Sequence, residues 1–476
     1  MENDVAMKQR SIVWFMNDLR LSDNPALHEA ASQGEVMPLF ILDDTIPLGS
    51  ASRWWLHHSL SALNQSLNNG LNVYHGQAES IIFDCIKRNR IDAVYWNRCY
   101  EPAAIALRAS IKALLKKHGV SVMSFNGSLL FEPTAIIKND GTPYKVFTPY
   151  YNRVVAESHA IPSVLKKPST IKTIADKKSL NLDDLNLMPR IPWYKTMEKV
   201  WDVGEQAALK RLKQFLRHGL LGYKEGRDFP SKDNISRLSP HLHFGEISPS
   251  QIWHEVGDVA HGSYQKDAVH FLRELVWREF SYYLLYYFND LPTVNWQKKF
   301  DNFAWAHNAR HLRLWQQGKT GIPLVDAGMR ELWQTGFMHN RVRMVTASFL
   351  CKNLLLDWRL GASWFFDCLV DADVANNSAS WQWVFGSGAD AAPYFRIFNP
   401  TTQGEKFDPD GSYTKRFIPE LQSLPLKYLF KPWAAPKEVL SKAGIILGKT
   451  YPKPIIDLSI SRARALEAYA MSKQRY

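Results

Sequence analysis

Cysteine is scarce in this chain of 476 residues: there are four, at Cys85, Cys99, Cys351 and Cys368, with no CxxC pair and no regular spacing. That pattern argues against a disulfide framework and a zinc site, so no metal centre is expected, and it suits a reducing cytosol. Long apolar runs are missing too. Lys352 interrupts the longest candidate, which falls short of a membrane span, and MENDVAMKQR is too polar for a secretory signal. The expectation is a cytoplasmic protein with no membrane partner. No GxGxxG follows the first strand-like run, so the dinucleotide fingerprint is absent, and there is neither an internal repeat nor a low-complexity segment.

Tryptophan and positive charge are plentiful. The chain holds 17 Trp, and 58 Lys plus Arg against 46 Asp plus Glu give a formal charge of +12. A polyanion would suit this surplus, which taken alone serves equally well for solubility. The length exceeds what one hydrophobic core normally holds, so two domains are expected.

Residues 11 to 125 alternate short apolar runs (SIVWF, VMPLFIL, LNVYHG, DAVYW, VSVMSF) with helical patterns such as RWWLHHSLSALNQSL. Strand alternating with helix predicts an α/β domain, a doubly wound parallel sheet without the dinucleotide fingerprint. From Ser158 to Met197 periodicity fades and Pro162, Pro168, Pro189 and Pro192 accumulate, as in an extended connector that wraps over a domain surface. Past Trp201 the pattern is helical. The division reads 1–130, an α/β domain; 131–200, a connector; and 201–476, an all-α domain.

Three stretches carry mixtures of amide, guanidinium, carboxylate and indole: FLRELVWREF (Phe271–Phe280), MHNRVRM (Met338–Met344) and Asp371–Pro400. The last shows little helix or strand periodicity and many small residues, as if backbone approached a bulky planar guest. Glu274, Trp277 and Arg278 share a helical face, where an ion pair between Glu274 and Arg278 is the plain alternative to a functional role. Arg343 is expected to pair with Asp371. SRLSP is by itself an ordinary helix-capping sequence. Trp54 and Trp55 read as core more readily than as a stacking platform.

These stretches, together with SIVWFMNDLRLSDNPAL and NPTTQGEKFDPDG, resemble the photolyase/cryptochrome family in its own order over nearly the whole chain, and most of all its bacterial members that repair cyclobutane pyrimidine dimers. The resemblance implies FAD, active when reduced, in the helical domain. Its contacts would be Tyr223, Ile235, Ser236, Arg237, Leu238, Ser239, Phe271, Asn340, Arg343, Asp371, Asp373 and Asn377, with Asn377 facing N5 of the flavin. Ile235 stands where the family commonly has threonine. Damaged DNA, single- or double-stranded, would be the partner, held by Arg227, Glu274, Trp277, Asn340, Arg341, Met344, Trp383 and Gln403. Glu274 would act as an acid toward the lesion if burial keeps it protonated, and Trp305, Trp358 and Trp381 would form an electron-transfer chain.

The resemblance also implies a second, light-harvesting chromophore, methenyltetrahydrofolate ahead of a deazaflavin or FMN, although Ala103, Ala104 and Ile105 after Tyr100 and Glu101 depart from the best-known folate pattern. Two other members of the family remain as alternatives. Met344 stands where photolyases for the 6-4 lesion carry histidine, and RALEAYAMSKQRY leaves little room for a cryptochrome's signalling tail. A monomer is expected.

Overall fold

The computed structural model describes residues 8–391 and 395–474. All five apolar runs form strands: β1 (Gln9–Phe15), β2 (Gly34–Leu42), β3 (Asn72–His75), β4 (Ala93–Asn97) and β5 (Ser121–Phe125). They pair in parallel in the order β3-β2-β1-β4-β5, which makes the doubly wound sheet expected from the alternation with α1 (Pro25–Gln33), α2 (Ser50–Ser66), α3 (Ala78–Asn89) and α4 (Pro102–Lys117). Side chains of β1 alternate between two cores. Ile12 and Trp14 enter one with Trp96, Ile111 and Leu115; Val13 and Phe15 enter the other with Trp54, Trp55, Phe244, Phe337 and Val370. The second core joins the sheet to the helical part of the chain.

Polar side chains lock that joint. In the first turn, Arg20 donates to the carbonyls of Asp23, Gly127 and Gly245, while Leu21 and Ser22 donate their backbone N–H groups to the Glu205 carboxylate at 2.9 Å each. Trp55 Nε1 donates to buried Glu246 at 3.0 Å. Trp54 and Trp55 are therefore core residues.

The predicted connector is built into both parts. Residues 147–156 form a helix, α5 (Phe147–Ala156), that packs on the helical domain, and β6 (Lys172–Thr173) adds a parallel strand beside β2. Ile174, Leu185, Leu187 and Met197 seal it over the sheet's two cores. Its backbone bonds to the sheet explain how a proline-rich segment without periodicity stays ordered.

Five further helices matter for the site: α6 (Gln265–Tyr287), α7 (Pro323–Thr335), α8 (Asn340–Ser348), α9 (Trp358–Cys368) and α10 (Val374–Phe385). No helix among the described residues is long and apolar enough to cross a membrane.

Candidate functional site

The stretch from Asp371 that reads as irregular contains a regular helix. Asp373 caps α10: Oδ1 accepts from the Asn376 backbone N–H at 2.7 Å and Oδ2 from the Asn376 side-chain amide at 2.8 Å. Gly386, at φ 107°, ends it in the left-handed region. The helix escapes a periodicity search because its core-facing side and its cavity-facing side both carry indoles and small residues; the caps were the legible signal. Both oxygens of Asp373 serve the helix start. Ala392, Pro393 and Tyr394, in the same stretch, lie outside the described residues.

Between α6, α8 and α10 lies a cavity of about 650 Å³. On its inner side Asp371 Oδ2 accepts from Arg343 at 2.8 Å, the pair the sequence led us to expect, and from Ser239 Oγ at 2.6 Å. Arg343 Nε also donates to the Met338 carbonyl at 2.6 Å, so the guanidinium is held from two directions. Asn377 donates its amide to the Ala362 carbonyl at 2.9 Å, which fixes the side chain's rotation and leaves Oδ1 as an acceptor. Ser239 opens a short helix, Ser239–His243, and Arg237 just before it has φ 52°, a left-handed conformation that bends the Ile235–Ser239 loop sharply. His339, beside Asn340, is buried and surrounded by Arg343, Arg227 and Arg237, which pushes its imidazole down to about 3 and keeps it neutral.

At the outer side, Glu274, Trp277, Met344 and Trp383 line the cavity with Asn340, Arg227 and Arg341. Glu274 is ion-paired with Arg227 and its side chain is partly exposed. The alternative pair between Glu274 and Arg278 does not form: Arg278 bonds Glu279 at 3.2 Å and the Ser128 carbonyl at 3.1 Å. Arg341 pairs with Asp228 at 2.7 Å and lies over the Phe407 ring. Two consecutive residues, Arg227 and Asp228, thus tie α6 to α8 across the mouth. Sequence reasoning passed over Asp228, and also Lys224, His270 and Ser281, which line the same cavity as Asn376, noted in the sequence beside Asn377; single polar residues scattered over two segments carry no spacing signal.

Of the remaining expected residues Trp381 also lines the cavity, and the others are not part of its wall. Phe271 packs on Phe215 and Tyr223 at ring distances of 4.6 and 5.2 Å, and Ile235 rests on the core shared with the sheet. Ser236, Leu238 and Gln403 are likewise not among the residues of this wall. Trp381 meets Phe365 at 4.9 Å and Trp315 at 6.3 Å. Trp358 is fully buried and donates Nε1 to Asn295 at 3.0 Å, and Trp305 packs on Phe303 and Phe385 at 4.7 and 4.6 Å. Trp315 therefore joins the expected three as an indole beside Trp381.

Two buried polar atoms of the cavity lining, Arg341 Nε and Asp371 Oδ1, have no partner among the described residues, and nor do Arg237 Nε and Gln403 Oε1. Buried polar atoms are rarely left unpaired. Charged donors and acceptors left open beside a large indole-lined cavity fit a flat guest with polar edges and an anionic arm.

A family model described as the FAD binding domain of DNA photolyase matches residues 271–471, and one described as DNA photolyase matches residues 11–169. A deoxyribodipyrimidine photo-lyase of Agrobacterium fabrum is 49% identical over 97% of this chain and 98% of its own. Cryptochrome-2 of Arabidopsis thaliana is 36% identical over 98% of this chain and 80% of its own. Among solved structures, a bacterial class III photolyase from Agrobacterium tumefaciens superposes with a TM-score of 0.95 at 48% identity, covering 100% of both chains. A Synechocystis cryptochrome follows with a TM-score of 0.88 at 30% identity, covering 97% of this chain and 99% of that one. With the sheet, the cavity and these matches in agreement, the chain belongs to the photolyase/cryptochrome family.

Proposed function

We propose that this chain repairs cyclobutane pyrimidine dimers in single- or double-stranded DNA, using light and reduced FAD. The observation that carries this reading is the two-sided cavity: Arg343, Asp371 and Asn377 on its inner wall, Trp277, Trp383, Met344 and Glu274 on its outer wall. FAD, when bound and reduced, supplies on excitation the electron that opens the cyclobutane ring and recovers it afterwards. Arg343 and Asp371 hold and orient the inner guest, and Asn377 presents Oδ1 without a ready proton. Ser236, Arg237, Leu238 and Ser239 offer hydroxyls, backbone N–H groups and one guanidinium to a diphosphate.

The outer wall receives the flipped dimer. Trp277 and Trp383 supply ring contact and Met344 an adaptable apolar surface. Glu274, paired with Arg227, presents a carboxylate as an acceptor toward a pyrimidine N–H. The test is light-dependent restoration of an oligonucleotide carrying one dimer, against a dark control, alongside the absorption spectrum of the purified protein. A colourless protein, or equal restoration in the dark, rules the reading out.

A second chromophore belongs to the same proposal. The pocket between the domains, lined by Met16, Asp43, Glu101 and Arg278 among others, measures about 90 Å³, well below the roughly 300 Å³ at which small-molecule pockets begin. Trp333 on α7 is 54% exposed and stands parallel to Trp364 on α9, planes at 0° and centroids 6.2 Å apart, with Trp193 of the connector 6.3 Å away. Its exposure leaves the Trp333 indole available to a planar heterocycle such as methenyltetrahydrofolate. Trp333→Ala should remove the near-ultraviolet band of that chromophore and leave the flavin bands in place. A band that survives the substitution places the chromophore elsewhere.

A further inference from the structure

Phe147 opens α5, in the stretch that the sequence presents as the start of the connector. Its ring is fully buried and lies face to face with the indole of Trp277, centroids 3.5 Å apart and planes 6° apart. Arg273 lies over the same phenyl ring at 5.4 Å and over Tyr151 at 5.3 Å, and Tyr151 in turn stacks beside Phe147 at 5.7 Å. Phe280 closes the edge at 5.8 Å. Asp390, which follows Ala389 of the cavity wall and has φ 55°, lies near this helix start. The aromatic stack ties α5 to α6 beside the cavity.

The indole that Phe147 stacks on also lines the cavity. A tryptophan with one face turned to an open cavity has rotational freedom that a substrate must remove on binding. A phenyl ring packed parallel against its other side removes that freedom beforehand. We propose that Phe147 is a positioning residue for lesion recognition: it fixes the plane of Trp277 before the dimer arrives. This role rests on the reading of Trp277 as a lesion contact given under Proposed function.

The test is equilibrium binding in the dark of an oligonucleotide with one cyclobutane dimer and of its undamaged twin. It compares the parent, Phe147→Leu, Phe147→Tyr, Trp277→Ala and the Phe147→Leu, Trp277→Ala double variant, each with FAD bound. Phe147→Leu should cut the preference for damaged DNA about 3- to 10-fold, the value of a stacked aromatic pair. Phe147→Tyr should restore it, and Phe147→Leu should change nothing further when Trp277 is already alanine. An equal loss in both backgrounds would make Phe147 a purely structural residue and overturn the proposal, as would parental preference in Phe147→Leu. If Trp277→Ala keeps the parental preference, the reading of Trp277 fails and the role of Phe147 falls with it. Should Phe147→Leu not fold, Phe147→Met keeps a large apolar side chain without the ring and carries the same comparison.

Discussion

Trp381 and Trp383 stand two residues apart on α10, which separates their directions by about 200° around the helix axis. Trp381 is 2% exposed and packs against Phe365 and Trp315, whereas Trp383 is only partly buried; both reach the cavity from different sides. An extended segment would have pointed them the same way. The helix supplies the physical reason for the two to do different work.

Their substitutions should therefore separate. Trp381→Phe keeps an aromatic body and removes the oxidisable indole, so light-driven reduction of oxidised FAD should largely stop while repair by chemically reduced protein continues. Trp383→Ala should leave photoreduction intact and weaken lesion binding by about 1–3 kcal/mol. Loss of both activities in step, in either variant, sinks this division.

Much of this architecture was legible in the chain. The five strands, their parallel sense and the pair between Arg343 and Asp371 follow from alternation and from complementary charges. Helix α10 was not, because a helix that meets a core on one side and a cavity on the other loses its polar face and with it the 3.6-residue signal. Nor was the partner choice of Glu274: i,i+4 spacing suggests Arg278, but Arg227 reaches it from a loop whose position only the tertiary fold sets. Exposure decided the tryptophans, and exposure cannot be read from composition. Trp54 and Trp55 vanish into the sheet core while Trp333 stands open.

Glu274→Ala should reduce repair per bound flavin far more than flavin content. The side chain is partly exposed and contributes little to stability through its ion pair, about 1 kcal/mol or less. A lost hydrogen bond from a charged group to the substrate corresponds to about a 10- to 100-fold fall in single-turnover rate or affinity. Normal turnover per remaining flavin, together with flavin loss, would give Glu274 a different role.

Binding of damaged DNA should weaken steeply with salt, but not chiefly through Arg341. That guanidinium is already neutralised by Asp228 at 2.7 Å, whereas Lys224 is exposed at the same cavity and has no acidic ion-pair partner among the described residues. Lys224→Ala should lower the slope of log affinity against log salt by about 0.9, one phosphate contact. Affinity indifferent to salt in the parent protein contradicts the basic face altogether; an unchanged slope in Lys224→Ala removes that lysine from it.

Lys352 gives the chain a pH dependence that can be isolated. Its ammonium group is buried at 1% exposure, lies 4.4 Å over the Phe395 ring and donates to the Arg396 carbonyl, and burial lowers its pKa to about 7 from 10.5. In the unfolded chain the amine holds its proton up to about pH 10.4. Between those values the unfolded state binds more protons than the folded state, so stability rises with pH, by up to about 1.4 kcal/mol per pH unit. Glu101 and Glu279, both pushed up to about 7 by burial, act in the opposite sense and only below pH 7, where the folded state retains protons that the unfolded chain has released. Buried Cys351 and Cys368 begin to oppose the lysine near pH 9, where their unfolded thiols ionise and their folded ones do not. Histidines lowered by burial, such as His339 and His243, act in the same sense as the lysine but only around pH 6.5, where their unfolded imidazoles titrate, so the range from about pH 7.5 to pH 9 is the one in which Lys352 dominates. Thermal midpoints should climb across it in the parent and stay flat in Lys352→Met, which keeps the buried stem without the charge. A climb of the same size in the variant would assign the effect to other groups and leave Lys352 protonated in the folded protein throughout.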